Sequence, residues 1–217
     1  MRPILPLLAF ASLIGLISPA QAAVVAWDES VNGDLSGNHL SGTPISLTVG
    51  SNQILGTTGT VVTIVDNAPV FTVDRDYFTI TIGKGQQLDG IKLFSLDRSK
   101  IGGNDSFLGL QDGDKITTTP EAPSASELLG YVLYAQPEFG MNLLNLMKNA
   151  PGAKGFSTPL GPGTYTFWTQ DTSTGTVAYG FDFQVSGAAP VPVPAALWLL
   201  SSGFGLLGIT HRRKVHC

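Results

Sequence analysis

Three segments of this chain alternate apolar and polar residues with a period of two, and that period commits them to strands. In the segment 76–82, Phe78, Ile80 and Ile82 share one face while Tyr77, Thr79 and Thr81 take the other. Residues 163–168 follow a Gly-Pro-Gly turn and place Tyr165 and Phe167 together, opposite Trp168. Tyr179, Phe181, Phe183 and Val185 line a third face, with Gly180, Asp182 and Gln184 behind it. Further candidate strands are 45–49, 60–65, 88–96, 106–111 and 128–134, all separated by turn residues. Eight or nine short strands rich in Thr, β-branched and aromatic residues predict an all-β fold, a jelly-roll-like β-sandwich. One segment breaks the pattern. From Met141 to Met147 the apolar residues recur at helical spacing and stop at Asn149-Ala150-Pro151-Gly152, so a short helix packed on the sandwich is expected there.

The two ends follow different rules. Met1-Arg2-Pro3 precedes an uncharged apolar run from Ile4 to Ile17, then Ser18-Pro19 and Ala20-Gln21-Ala22. A positive start, a short apolar helix and a small-x-small site (Ala20, Ala22) make a secretory signal peptide over residues 1–22, cleaved by signal peptidase. At the other end, a proline-rich linker over 187–194 leads into an apolar segment, Ala195 to Ile209, followed by Arg212-Arg213-Lys214. As a helix, those 15 apolar residues would extend roughly 22 Å, short of a hydrocarbon core of about 30 Å. A short hydrophobic helix is expected over 195–210 and a basic cytoplasmic tail over 211–217, because positive charge stays inside. A plain single-pass anchor is the simplest alternative.

The order of these parts resembles the PEP-CTERM sorting signal of Gram-negative bacteria in its V-P-x-P-A form. Pro192, Val193, Pro194 and Ala195 carry the match, with Arg212, Arg213 and Lys214 closing it; Val193 stands where the usual form has glutamate. The resemblance implies that an exosortase acts near Pro192–Pro194 after export. The product would then be released or attached outside the cell, commonly in an exopolysaccharide-rich matrix. The exported β-sandwich domain, 23–186, is similar over about residues 30–185, through short motifs, to the bacterial pre-peptidase C-terminal type of jelly-roll domain. Asn32-Gly33-Asp34-Leu35-Ser36-Gly37-Asn38, Asp74-Arg75-Asp76-Tyr77-Phe78-Thr79, Ser106 to Gln111, Pro159 to Trp168 and the closing 179–185 strand carry that likeness. It implies a non-catalytic accessory module, in some members calcium-stabilised.

Composition sharpens the division. The whole chain has 12 basic and 16 acidic residues and a formal charge of −4. Four of the basic residues (Arg2, Arg212, Arg213 and Lys214) lie in the end segments and every acid lies between them. The central part therefore sets 8 basic residues against 16 acidic ones, a charge of −8. Such a domain repels nucleic acid and anionic membranes. The one cysteine, Cys217, excludes an intramolecular disulfide and a cysteine-built zinc site.

Catalytic patterns are scarce. His39 is the only histidine between the end segments, and no H-E-x-x-H, G-x-S-x-G or phosphate-binding loop occurs. A non-enzyme is expected, with a hydrolase built on His39 or on a carboxylate pair as the alternative. Calcium is the metal the composition favours, because hard cations take oxygen ligands and acidic turn-rich loops supply them. The candidate clusters are Asn32 with Asp34, Asp74 with Asp76, and Asn104 and Asp105 with Asp112 and Asp114. The competing role for each is an Asx-turn at a strand end. Trp168 is the candidate glycan contact, against the alternative of a core position in the second layer.

Overall fold

The alternating segments form strands, in a computed structural model that describes residues 22–99 and 105–187. In chain order these are β1 (Val24–Asp28), a one-turn helix α1 (Glu29–Asn32), β2 (Thr43–Ile45), β3 (Gly50–Val65), β4 (Ala68–Ile82), β5 (Gln86–Asp97), β6 (Ser106–Asp112), β7 (Gly130–Tyr134), a helix α2 (Leu143–Met147), β8 (Gly163–Gln170) and β9 (Gly175–Gly187). The path of strands runs β5-β9-β3-β4-β8-β6-β7, with β1 added to β3 and β2 added to β4, both parallel. β3 pairs antiparallel with β4 and β9, β4 with β8, and β6 with β7 and β8. The result is an all-β, sandwich-like fold.

The hairpin β3–β4 explains how one path makes two layers. From Gly59–Asp74 outward to Val65–Ala68 the two strands pair with each other. Inward of that point they part: β3 pairs with β9 from Gly59 to Gly50, and β4 pairs with β8 from Arg75 to Ile82. Phe183 of β9 meets Phe78 and Phe167 of the opposite layer edge-on, with ring centres 5.8 and 5.2 Å apart. Ile54, Ile80, Leu108, Leu110 and Phe181 complete this core. Beyond the fork the hairpin projects as a two-stranded ribbon. Asp66 and Asn67 both hold positive φ, +50° and +59°, as a tight primed turn requires.

Several expected elements shift. The strand expected at 45–49 lies earlier, at Thr43–Ile45, because Asn52 captures the loop behind it. Its fully buried amide accepts from the Thr48 N–H (2.8 Å) and donates to the Thr48, Gly50 and Phe183 carbonyls. The strands expected at 60–65 and 76–82 are parts of the longer β3 and β4. β1 was not foreseen, since Val24-Val25-Ala26-Trp27 sits close behind the small-x-small site. The expected helix is present as α2, where the Asn142 side chain accepts from the Leu144 N–H and Leu143, Leu144 and Met147 are buried.

The outer face of β4, β8 and β6 is covered as well. The loop after β6 lays Ile116 and Leu128 over Tyr77 and Trp168, with Phe107 and Tyr131 at the margin. Trp168 is fully buried, stacked on Tyr77 and edge-on to Phe107. The expected glycan contact is thereby corrected: that indole is in a second, smaller core, because the loop supplies apolar cover on the side opposite Phe167. No helix among the described residues is long and apolar enough to cross a membrane. The sorting residues Pro192, Val193, Pro194, Ala195, Arg212, Arg213 and Lys214, together with Ala20 and Asn104, lie outside the described residues.

Candidate cation-binding site

Where β3 and β4 part, three segments bring carboxylates together. Asp28 caps α1, its Oδ1 accepting from the Ser30 N–H at 2.9 Å. That cap fixes the next residue, Glu29, over the fork. Glu29 Oε1 accepts from the Leu35 N–H (3.2 Å), and Oε2 accepts from the Thr57 N–H (2.7 Å) and hydroxyl (3.2 Å). Glu29 thus ties the N-terminal segment to β3. Gly56 makes the approach possible: a Cβ there would stand 2.5 Å from the Tyr179 hydroxyl oxygen and 2.9 Å from the Glu29 carboxyl carbon.

Asp76 enters from β4 and is wholly buried. Its Oδ2 accepts from the Tyr179 hydroxyl at 2.7 Å, while Oδ1 has no hydrogen-bond partner. Asp34 stands exposed on the loop after α1. One oxygen from each of Glu29, Asp34 and Asp76 lies within 4.8 Å of the other two, and no other such group of three potential metal ligands occurs among the described residues.

The electrostatics follow from this crowding. Burial, then the charge of Glu29, pushes the Asp76 carboxyl up to about 9 despite the hydrogen bond from Tyr179. Burial and the neighbouring Asp34 raise Asp74 to about 6. Burial also raises Glu29, although the Leu35 and Thr57 donors pull the other way. The Tyr179 hydroxyl is pushed well above its ordinary value by burial and by Asp76. Each ion pair among the described residues lies elsewhere: Arg75 with Glu121, and Arg98 with Asp105 and Asp171. Among the described residues, no Lys or Arg forms an ion pair with the four acids at the fork.

The structure recombines the expected clusters. Asp34 and Asp76 come from different ones and meet here, with Asp74 beside them. Asn32 does not turn toward an ion, since its Oδ1 accepts from the Asp28 N–H at 2.9 Å. Asp105 is 3.7 Å from Arg98, and Asp112 and Asp114 are exposed near the end of β6 without joining a group of three acids. Glu29 was missed. Its only local signal is the cap residue before it, and nothing in its spacing points to β4. His39 is half-buried in its loop, and its Nδ1 donates to the Ile116 carbonyl at 2.7 Å. That bond anchors the covering loop. A scan of protein-family models and searches of curated proteins and of solved structures find no match to this chain.

Proposed function

We propose that the chain is an exported, non-catalytic component of the surface or extracellular matrix of a Gram-negative bacterium. Signal peptidase removes residues 1–22, and an exosortase-type enzyme processes the C-terminal signal from the inner-membrane intermediate. The observation that carries this reading is the order Pro192-Val193-Pro194-Ala195, apolar segment, Arg212-Arg213-Lys214. The extent of the fold supports it. β1 begins at Val24, two residues after Ala22, and β9 ends at Gly187, five residues before Pro192, so both processing points flank the sandwich. The associated polymer is an exopolysaccharide of the matrix, and the charge of −8 disfavours nucleic acid as a partner.

Mass spectrometry of terminal peptides tests the route. In cells with a working exosortase, the exported protein should begin at Ala23 and lack Arg212-Arg213-Lys214. An intact tail on the exported protein would overturn the sorting reading and leave a retained single-pass protein.

A further inference from the structure

We propose that Glu29, Asp34 and Asp76 hold one divalent cation of the calcium class, which pins the N-terminal segment across the fork between β3 and β4. The proposal stands apart from the route of export. Calcium keeps its oxygen ligands at about 2.3–2.6 Å, so oxygens around one ion lie no more than about 5 Å apart. The three carboxylates meet that condition, each having an oxygen within 4.8 Å of the others.

A second observation separates this group from an ordinary acidic patch. Asp76, one of the three, is 0% exposed, and its Oδ1 has no donor to satisfy it. An orphaned buried acceptor is costly, and native structures seldom leave one without a water, an ion or a special role. A cation answers the missing partner and the missing positive charge together. Glu29 can take part while keeping its hydrogen bonds, because each carboxylate oxygen has a second lone pair. Asp34 is exposed and gives the ion its entry, with water filling the remaining positions on that side. The ligands come from α1, the loop after it, and β4, so the ion would close the N-terminal segment over both layers.

The full chain, stripped with chelator in detergent and then freed of it, should be titrated with calcium chloride by calorimetry and melted with and without the ion. One saturable site is expected, with Tm raised by about 5 °C or more at a hundredfold excess over Kd. Magnesium should give a smaller shift, since it demands tighter octahedral geometry and sheds water reluctantly. Asp76→Asn and Glu29→Gln should abolish the shift. Asp34→Asn is exposed and spares the fold; it should weaken calcium at least tenfold while leaving the ion-free Tm unchanged or higher. Absence of saturable calcium binding by the native chain would overturn the proposal. So would binding of undiminished affinity in Asp34→Asn.

Discussion

Two carboxylates are buried among the described residues, and they are treated in opposite ways. Asp171, just beyond β8, is 1% exposed and fully provided for. Its Oδ2 accepts from the Ser106 hydroxyl (2.8 Å) and faces Arg98 at 3.3 Å, and its Oδ1 accepts from the Ser173 N–H (2.8 Å). Asp76 has one donor, Tyr179, an empty second oxygen and three acidic neighbours, Glu29, Asp74 and Asp34. Removing a charge from water is costly in both places. At Asp171 the chain supplies the compensation from its own side chains. At Asp76 it supplies more negative charge instead, which makes the site thermodynamically receptive to something positive from outside.

Four experiments put pressure on that contrast. The largest effect should come from Arg98→Ala, which strands the Asp171 carboxylate; a loss of about 3–5 kcal/mol in urea unfolding is expected. A loss under 1 kcal/mol would mean that the serine and backbone donors suffice. The matching change at the other site should act in reverse. Asp76→Asn, measured in chelator at pH 8, should gain about 2 kcal/mol, because an amide keeps the Tyr179 bond and is neutral without taking up a proton on folding.

The third experiment is a pH series on the ion-free protein. Folded Asp76 keeps its proton up to about pH 9, whereas the unfolded chain releases it near 3.8. The folded state therefore holds the extra proton throughout that window. Its stabilising effect is complete below pH 4 and is lost as pH rises towards 9, at about 1.4 kcal/mol per pH unit between 6 and 8. Asp74 adds a loss of the same sign that ends near pH 6. A stability profile that is flat from pH 6 to 8 would show that Asp76 is already ionised and compensated. The smallest effect belongs to Glu121→Gln. Its pair with Arg75 is two-thirds exposed on the glutamate side, and it should change stability by less than about 0.5 kcal/mol.

Local periodicity made much of the fold legible. Phe78-Ile80-Ile82, Tyr165-Phe167 and Tyr179-Phe181-Phe183 are core faces in the structure as in the sequence. The ribbon was harder to foresee. Val61, Val62, Ile64 and Phe71 are large and apolar yet exposed, because β3 and β4 run past the sheets that bury their other halves. The turn at Asp66-Asn67 between two apolar runs was its only local sign. The outer cluster was hidden for a different reason: Trp168 and Tyr77 lie on the polar-looking face, and a loop without strand periodicity covers them. The candidate site was half visible. Asp34 and Asp76 are acidic residues in turn-rich contexts, but only the pairing of β1 with β3 and β4 with β8 brings them to Glu29.

The place of β9 has a consequence for how the chain folds. Among the described residues it is the last strand to be made, yet it lies between β5 and β3 and is the one strand neighbour of β5 in the sheet. The layer of β5, β9 and β3 cannot close while residues 175–187 are still missing, although β4, β8, β6 and β7 pair without them. A chain emerging from its N-terminus would wait, with its aromatic residues uncovered, until nearly the whole domain had appeared. Such long-range pairing makes for slow folding and an extended opportunity for aggregation. Loss of the last strand should therefore be far more damaging than its length suggests: it would unseat β5 and the Phe181–Phe183 side of the core at once.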